Sequence, residues 1–133
     1  MRGSCLCGAI EYQADALAGP IVHCHCRTCQ KAHAAAFATT VRVNRKDFRW
    51  LKGEASLAAY ESTAGKLRRF CSRCGSQLIS EWLDQPQVIV RVATLDADPR
   101  ARPAVNIWAS HDLPWLAHDG DLPSFAEFPP PKV

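Results

Sequence analysis

The chain has 133 residues, 47% hydrophobic and 22% charged, with 16 basic and 13 acidic side chains and a formal charge of +3. That length fits one domain with one core, and that balance excludes long disordered, collagen-like and coiled-coil chains. No run reaches the roughly 18 apolar residues of a membrane span and no apolar signal core follows residues 1–5, so a cytoplasmic protein is expected.

Nine prolines and seven glycines cut the chain into short pieces. In chain order, strands are expected over residues 9–13, 21–25, 36–43, 56–61, 67–70, 77–82, 87–93 and 105–109, the β-branched run Val88-Ile89-Val90-Arg91-Val92 being the clearest. One short helix is expected over residues 27–35, with Thr28 capping its first turn and a run of alanines supplying propensity. Phe48 and Trp50 alternate with Asp47 and Arg49, as in a half-buried strand, which assigns the two aromatics to the core. Three consecutive prolines near the end rule out a helix there and leave an extended tail from about residue 126 to 133. The whole chain, 1–133, reads as one mainly β domain stapled by metal.

Seven cysteines without an export signal point to metal rather than disulfides. Ionising all seven around two divalent cations brings the charge of +3 to about zero, which removes the apparent basicity as a sign of nucleic-acid binding. Cys71-Ser72-Arg73-Cys74-Gly75 has the form of a zinc knuckle, its glycine permitting the left-handed turn after the two thiolates. Cys5-Leu6-Cys7-Gly8 has the same form and supplies the two further ligands that a tetrahedral ion requires. The pair makes a closed, structural site.

The middle cluster, His23-Cys24-His25-Cys26-Arg27-Thr28-Cys29, has three thiols and no second cysteine cluster to complete it. On a strand, Cys24 and Cys26 share one side and His25 faces outward on the other, while Cys29 returns from the first helical turn. Three thiolates on one Zn²⁺ leave a position for an exchangeable ligand, as in catalytic zinc sites, and the resulting charge of about −1 favours a soft sulfur there. His33, one helical turn after Cys29, or His23 or His25, is the alternative fourth ligand. Glu81, Asp84, Asp96 and Asp98 are read as surface groups, and no catalytic residue is assigned.

The three cysteine clusters, with Gly3-Ser4-Cys5-Leu6-Cys7-Gly8-Ala9 and Phe70-Cys71-Ser72-Arg73-Cys74-Gly75-Ser76, resemble the glutathione-dependent formaldehyde-activating enzyme family, which includes centromere protein V. Gly53-Glu54, Tyr60, Leu95-Asp96, Trp108, Trp115, Leu122-Pro123 and Phe128-Pro129 extend the resemblance over nearly the whole chain. It implies a β-tent type fold of coiled antiparallel sheets, a structural zinc on Cys5, Cys7, Cys71 and Cys74, and a second zinc on Cys24, Cys26 and Cys29. It also implies a carbon–sulfur lyase joining glutathione to formaldehyde. The chain departs from the family pattern at Asn106-Ile107-Trp108, where a histidine usually precedes the isoleucine, and it lacks the basic residue often found before Trp115.

A thiol with two carboxylates requires cationic partners, for which Arg27, Lys31, Arg42, Arg68, Arg69 and Arg73 lie near the clusters in sequence. The alternative function is a non-catalytic zinc module for protein or nucleic acid, resting on Arg42, Arg45, Lys46, Arg49 and Lys52 around Phe48 and Trp50.

Overall fold

A computed structural model describes residues 1–116 and 122–131. Its strands are β1 (Arg2–Ser4), β2 (Glu11–Ala14), β3 (Ile21–Cys24), β4 (Ala38–Asn44), β5 (Phe48–Lys52), β6 (Leu57–Thr63), β7 (Lys66–Cys71), β8 (Gln77–Trp82), β9 (Gln87–Arg91) and β10 (Pro103–Ile107). The α-helix among the described residues, α1, spans Arg27–His33. The fold is therefore mainly β with one short helix, as expected. A three-stranded sheet has the order β1-β2-β5, and a seven-stranded sheet has the order β10-β3-β4-β9-β8-β7-β6. Pairing is antiparallel except between β10 and β3, which run parallel.

The two-residue period of the strands decides what each face of the larger sheet carries. Val41 pairs with Val90, Val43 with Val88 and Ile79 with Val90, so these aliphatic side chains share one buried face. The small sheet covers that face. Buried Tyr12 lies between them, its ring 5.3 Å from Phe48 and 6.1 Å from Trp50, with its hydroxyl 2.8 Å from Thr94 Oγ1. The opposite face carries Thr40 paired with Arg91 and, two residues along, the row Arg42, Ile89, Ser80 and Arg68 across β4, β9, β8 and β7. A polar face of this kind needs a cover or a ligand, and α1 with the middle cysteine cluster lies over one end of it.

Short side contacts fix the small sheet. Gly3 bridges Leu95, Ser4 Oγ donates to Asp96 Oδ1 at 2.6 Å, and Gly53 adopts φ +82 where a Cβ would meet the Ala9 carbonyl oxygen at 1.9 Å. The described part of the tail, 122–131, has neither helix nor strand; Lys132 and Val133 lie outside the described residues.

Two local expectations are corrected. Helix α1 ends at His33 because Ala34 adopts a left-handed φ of 48°, with its N–H returned to Gln30 and Lys31 carbonyls. Its N-cap is Cys26 rather than Thr28, the Cys26 Sγ accepting from the Cys29 amide at 3.3 Å.

Glu81 is also not a surface group. It shares the face of Ile79, is buried, and accepts from Arg69 Nε at 2.5 Å and from Arg45. Burial alone would push its carboxyl up, but the Arg45 and Arg69 guanidinium groups outweigh it and hold the pKa below the ordinary value. A depressed folded-state pKa gives stability that is present above the unfolded value of about 4.3 and is lost as pH falls through the folded one. Glu81→Gln is expected to lower unfolding free energy at pH 7 by about 1–2 kcal/mol, less than for a fully buried pair because both arginines reach solvent. Melting curves between pH 7 and pH 3 check this: the difference between the two chains should close on acidification.

Candidate metal centres and the cavity beside them

The four outer thiols meet as the spacing required. Sγ atoms of Cys5, Cys7, Cys71 and Cys74 lie within 4.8 Å of one another, with 3.6 Å between Cys5 and Cys7 and 3.9 Å between Cys7 and Cys71. Tetrahedral zinc with bonds of about 2.3 Å places its sulfurs about 3.8 Å apart, so the donor set fits that ion. Gly8 and Gly75 have φ of 74° and 78°, which folds the backbone back on each knuckle. The Ile10 amide donates to Cys5 Sγ at 3.3 Å, and the Leu6 amide donates to Ser76 Oγ at 2.9 Å, joining the two knuckles. Arg73 stands in the exposed turn between Cys71 and Cys74.

The Sγ atoms of Cys24, Cys26 and Cys29 form the second group within 4.8 Å, with 3.5 Å between Cys24 and Cys29. They arrive from three positions: Cys24 ends β3, Cys26 caps α1, and Cys29 sits in its first turn. The Cys24 thiol holds Cys29 down to about 5 against the effect of burial, with Cys26, Arg91 and Arg68 assisting, while Cys24 itself is pushed up by Cys29. One thiol thus ionises at the expense of its neighbour, and a divalent cation removes that conflict.

Among the described residues, no histidine belongs to this group. His23 Nδ1 pairs with Thr39 Oγ1 at 2.9 Å, and His33 is pushed down to about 4 by burial, then by Arg91 and Arg68. His25 is the clearest correction: β3 stops at Cys24, and His25 turns inward to 1% exposure rather than facing solvent. Its Nδ1 lies 2.7 Å from Asp112 Oδ1 and its Nε2 2.9 Å from Asn106 Oδ1. Its carbonyl accepts from Gln30 Nε2 at 2.7 Å, and the same nitrogen reaches the His111 carbonyl at 3.3 Å. The end of β10, through Asn106, and the segment after it, through Asp112, are therefore strapped to the thiol-bearing loop.

A cavity of about 410 Å³ opens beside the three thiols. Its floor is the polar face of the large sheet, with Arg42, Lys66, Arg68 and Arg91, and its far wall holds Trp108 and His111 from the strap. Among the described residues, its lining contains no Asp or Glu. Arg91 and Arg68 are each only 4% exposed. Burial lowers the Arg91 pKa, and the Cys29 thiolate opposes that effect, so the group stays charged at neutral pH. Of the cations named from sequence, Arg42 and Arg68 reach the cavity, whereas Arg69 is committed to Glu81. Lys66 and Arg91 complete the cationic floor, and the strand period is the signal that marks them, since each sits two residues, or one sheet repeat, from a side chain on the same face.

The basic stretch after β4 is largely occupied within the chain. Arg45 binds Glu81 and the Gln85 and Trp82 carbonyls, Arg49 binds Asp15 at 2.8 Å, and Lys52 reaches the Gly8 carbonyl at 3.0 Å. Phe48 and Trp50 pack into the core as the alternation required. No helix among the described residues is long and apolar enough to cross a membrane.

A crystal structure of a Rhodobacter sphaeroides protein is similar to this one at a TM-score of 0.66, with 26% sequence identity over 80% of this chain and 98% of that one. Among curated proteins, none matches. The family profile described as glutathione-dependent formaldehyde-activating enzyme matches residues 1–111, the stretch that carries every cysteine, both thiol groups and the cavity wall up to His111. The chain belongs to the glutathione-dependent formaldehyde-activating enzyme family.

Proposed function

We propose that the chain acts as a single cytoplasmic domain and is a zinc-dependent carbon–sulfur lyase resembling S-(hydroxymethyl)glutathione synthase. It handles a glutathione-like thiol and formaldehyde or a related small carbonyl. Cys5, Cys7, Cys71 and Cys74 hold a structural zinc, and Cys24, Cys26 and Cys29 hold a second zinc whose fourth position is left to the substrate sulfur. The observation that carries this reading is the trio of converging thiols, joined by no histidine among the described residues, at the wall of a cavity.

Zinc bound there supplies acidification of an incoming thiol, because a cation lowers the pKa of a sulfur that joins it. The chain does the remainder. Cys24, Cys26 and Cys29 fix the place of the sulfur, and their negative charge is balanced by Arg91 and Arg68 beneath them. The strap through His25, Asn106 and Asp112 holds Trp108 and His111 against the cavity and narrows its access to water. In the addition, a bond forms from sulfur to the aldehyde carbon, the carbonyl π electrons move to oxygen, and the proton shed by the thiol ends on that oxygen. Nothing leaves.

Thiols add to formaldehyde unaided, so the test is a rate. Exchange between glutathione and its hydroxymethyl adduct, followed by magnetization-transfer NMR with zinc-loaded protein, is expected to accelerate in proportion to protein concentration. Exchange at the uncatalysed rate would overturn the assignment. The reading as a nucleic-acid module draws no support from the fold, since its aromatics are in the core and its arginines are largely engaged.

A further inference from the structure

The cavity-facing side of the large sheet is not cationic across its whole width. Toward β9, β8 and β7 it carries Arg91, Ser80 and Arg68, but toward β3 and β10 it turns apolar, with Val22 paired to Thr40 and Ile107 paired to Cys24. At that end a hollow of about 320 Å³ is lined by Gly19, Pro20 and Val22, and it shares Thr40, Ile89 and Ile107 with the three-thiol cavity. The two spaces are continuous and adjoin beside Cys24, the thiol that ends β3. Among the described residues, the charged side chain in the lining of the hollow is Arg42, which is exposed. A single exposed aliphatic residue is ordinary; several lining one concavity that opens onto a reactive site are not. Val22 and Ile89 are half-buried and Ile107 is 39% exposed, so a hydrocarbon group seated there removes apolar surface from water.

We propose that this annex receives the hydrocarbon substituent of the carbonyl substrate, so that the electrophile favoured at the three thiols is an alkyl aldehyde rather than formaldehyde. The inference rests on the thiol-addition reading above and names the class of its second reactant. Formaldehyde has no substituent and leaves the annex unused. The layout of the sheet assigns the annex to the carbonyl and not to the thiol. Strand order puts it at the β3–β10 end, whereas a groove of about 620 Å³ lined by Arg27, Lys31, Tyr60 and Arg68 lies toward β6 and β7. A glutathione-like thiol is charged, which suits the basic groove and not the apolar annex. With its sulfur at Cys24, Cys26 and Cys29, such a thiol extends toward β6 and leaves the annex to the other reactant. The addition keeps its balance: the sulfur–carbon bond forms, the carbonyl π electrons move to oxygen and the thiol proton ends there, giving a hemithioacetal with its alkyl chain intact.

The test uses zinc-loaded protein and glutathione. Exchange NMR measures adduct formation with formaldehyde, acetaldehyde, propanal, butanal and pentanal, each rate being divided by its value without protein. From acetaldehyde to pentanal that ratio is expected to rise about threefold to fourfold per methylene, the value of one buried CH₂. Ethanethiol, propanethiol and butanethiol, each with formaldehyde, should show no such gain. Val22→Thr keeps the side-chain shape but introduces a hydroxyl, and it should flatten the rise along the aldehydes. Gly19→Leu covers the case in which Val22→Thr fails to fold: a Cβ at Gly19 meets nothing within 4 Å, and the added bulk should bring the ratio for pentanal down to that for acetaldehyde. Acceleration with formaldehyde that does not grow with chain length removes the annex and leaves thiol addition standing. A rise along the thiol series instead, or a rise along the aldehydes that survives both variants, overturns the placement of the hydrocarbon. Without acceleration for any aldehyde, the thiol-addition reading itself falls, and the annex with it.

Discussion

Cys71→Ser is expected to unfold the chain or to lower its melting midpoint by tens of degrees, with one zinc lost per molecule. Cys71 is fully buried at the end of β7, packed into the main core, and its knuckle is the partner of one that begins at residue 5. The proposed four-thiolate zinc closes a loop of more than sixty residues and ties the β1–β2 hairpin to the β7–β8 hairpin. Structural zinc in small sites contributes about 10–16 kcal/mol of apparent binding energy, comparable to or larger than the 5–15 kcal/mol total stability of an ordinary domain. Beside that zinc, the small sheet is held by a bridge at Leu95, by Asp96 bonds to Ser4 and to the Arg2 carbonyl, by the Leu6–Ser76 bond and by packing around Tyr12, Phe48 and Trp50. Circular dichroism melts with parallel zinc analysis check this, and a variant that melts like the parent would remove the structural role assigned to this site.

Cys29→Ser should do the reverse: the fold survives and the chemistry stops. Cys24, Cys29 and Ala38 form a small buried cluster separate from the main core, so losing one thiol there leaves the two-sheet packing in place. The loss of stability is expected to be about 1–3 kcal/mol, from a buried polar exchange and the end of zinc binding at that group. On the proposed function, catalysis should fall to the uncatalysed rate, because two thiols and a hydroxyl would no longer hold the ion proposed to position and acidify the substrate sulfur. The comparison with Cys71→Ser separates the two sites: one variant is expected to be unfolded, the other folded and inactive. A Cys29→Ser protein that accelerates adduct exchange like the parent would sink the assignment of the trio.

Most of the scaffold was legible because the strands are short and strongly patterned. Val41 and Val43 against Thr40 and Arg42, or Val88 and Val90 against Ile89 and Arg91, state both faces of the sheet in the residues themselves. The outer thiol pair was legible for a different reason, since two knuckles of the same form leave one sensible pairing. The parts that escaped depend on contacts between distant segments. Strand alternation continued past Cys24 points His25 outward, whereas β3 ends at Cys24 and Cys26 caps α1. The partners of His25, Asn106 and Asp112, lie more than eighty residues away, and no local pattern marks them. Glu81 obeys the strand period, on the face of Ile79, but a lone charge in a strand implies a surface position, and the Arg45 and Arg69 groups that permit its burial come from other strands and loops. Arg91 is hidden in the β-branched run that makes β9 so clear, and its place beside Arg68 in the cavity depends on strand pairing that no local pattern states.

Zinc X-ray absorption on the loaded protein, before and after glutathione, tests the central claim most directly. With two ions per chain, one bound by four thiolates and one by three, the average should be about 3.5 sulfurs per zinc, rising to about 4 once the thiol is added. A single ion with four sulfurs, or an average that does not change with thiol, would contradict the proposed activation of a substrate sulfur at Cys24, Cys26 and Cys29.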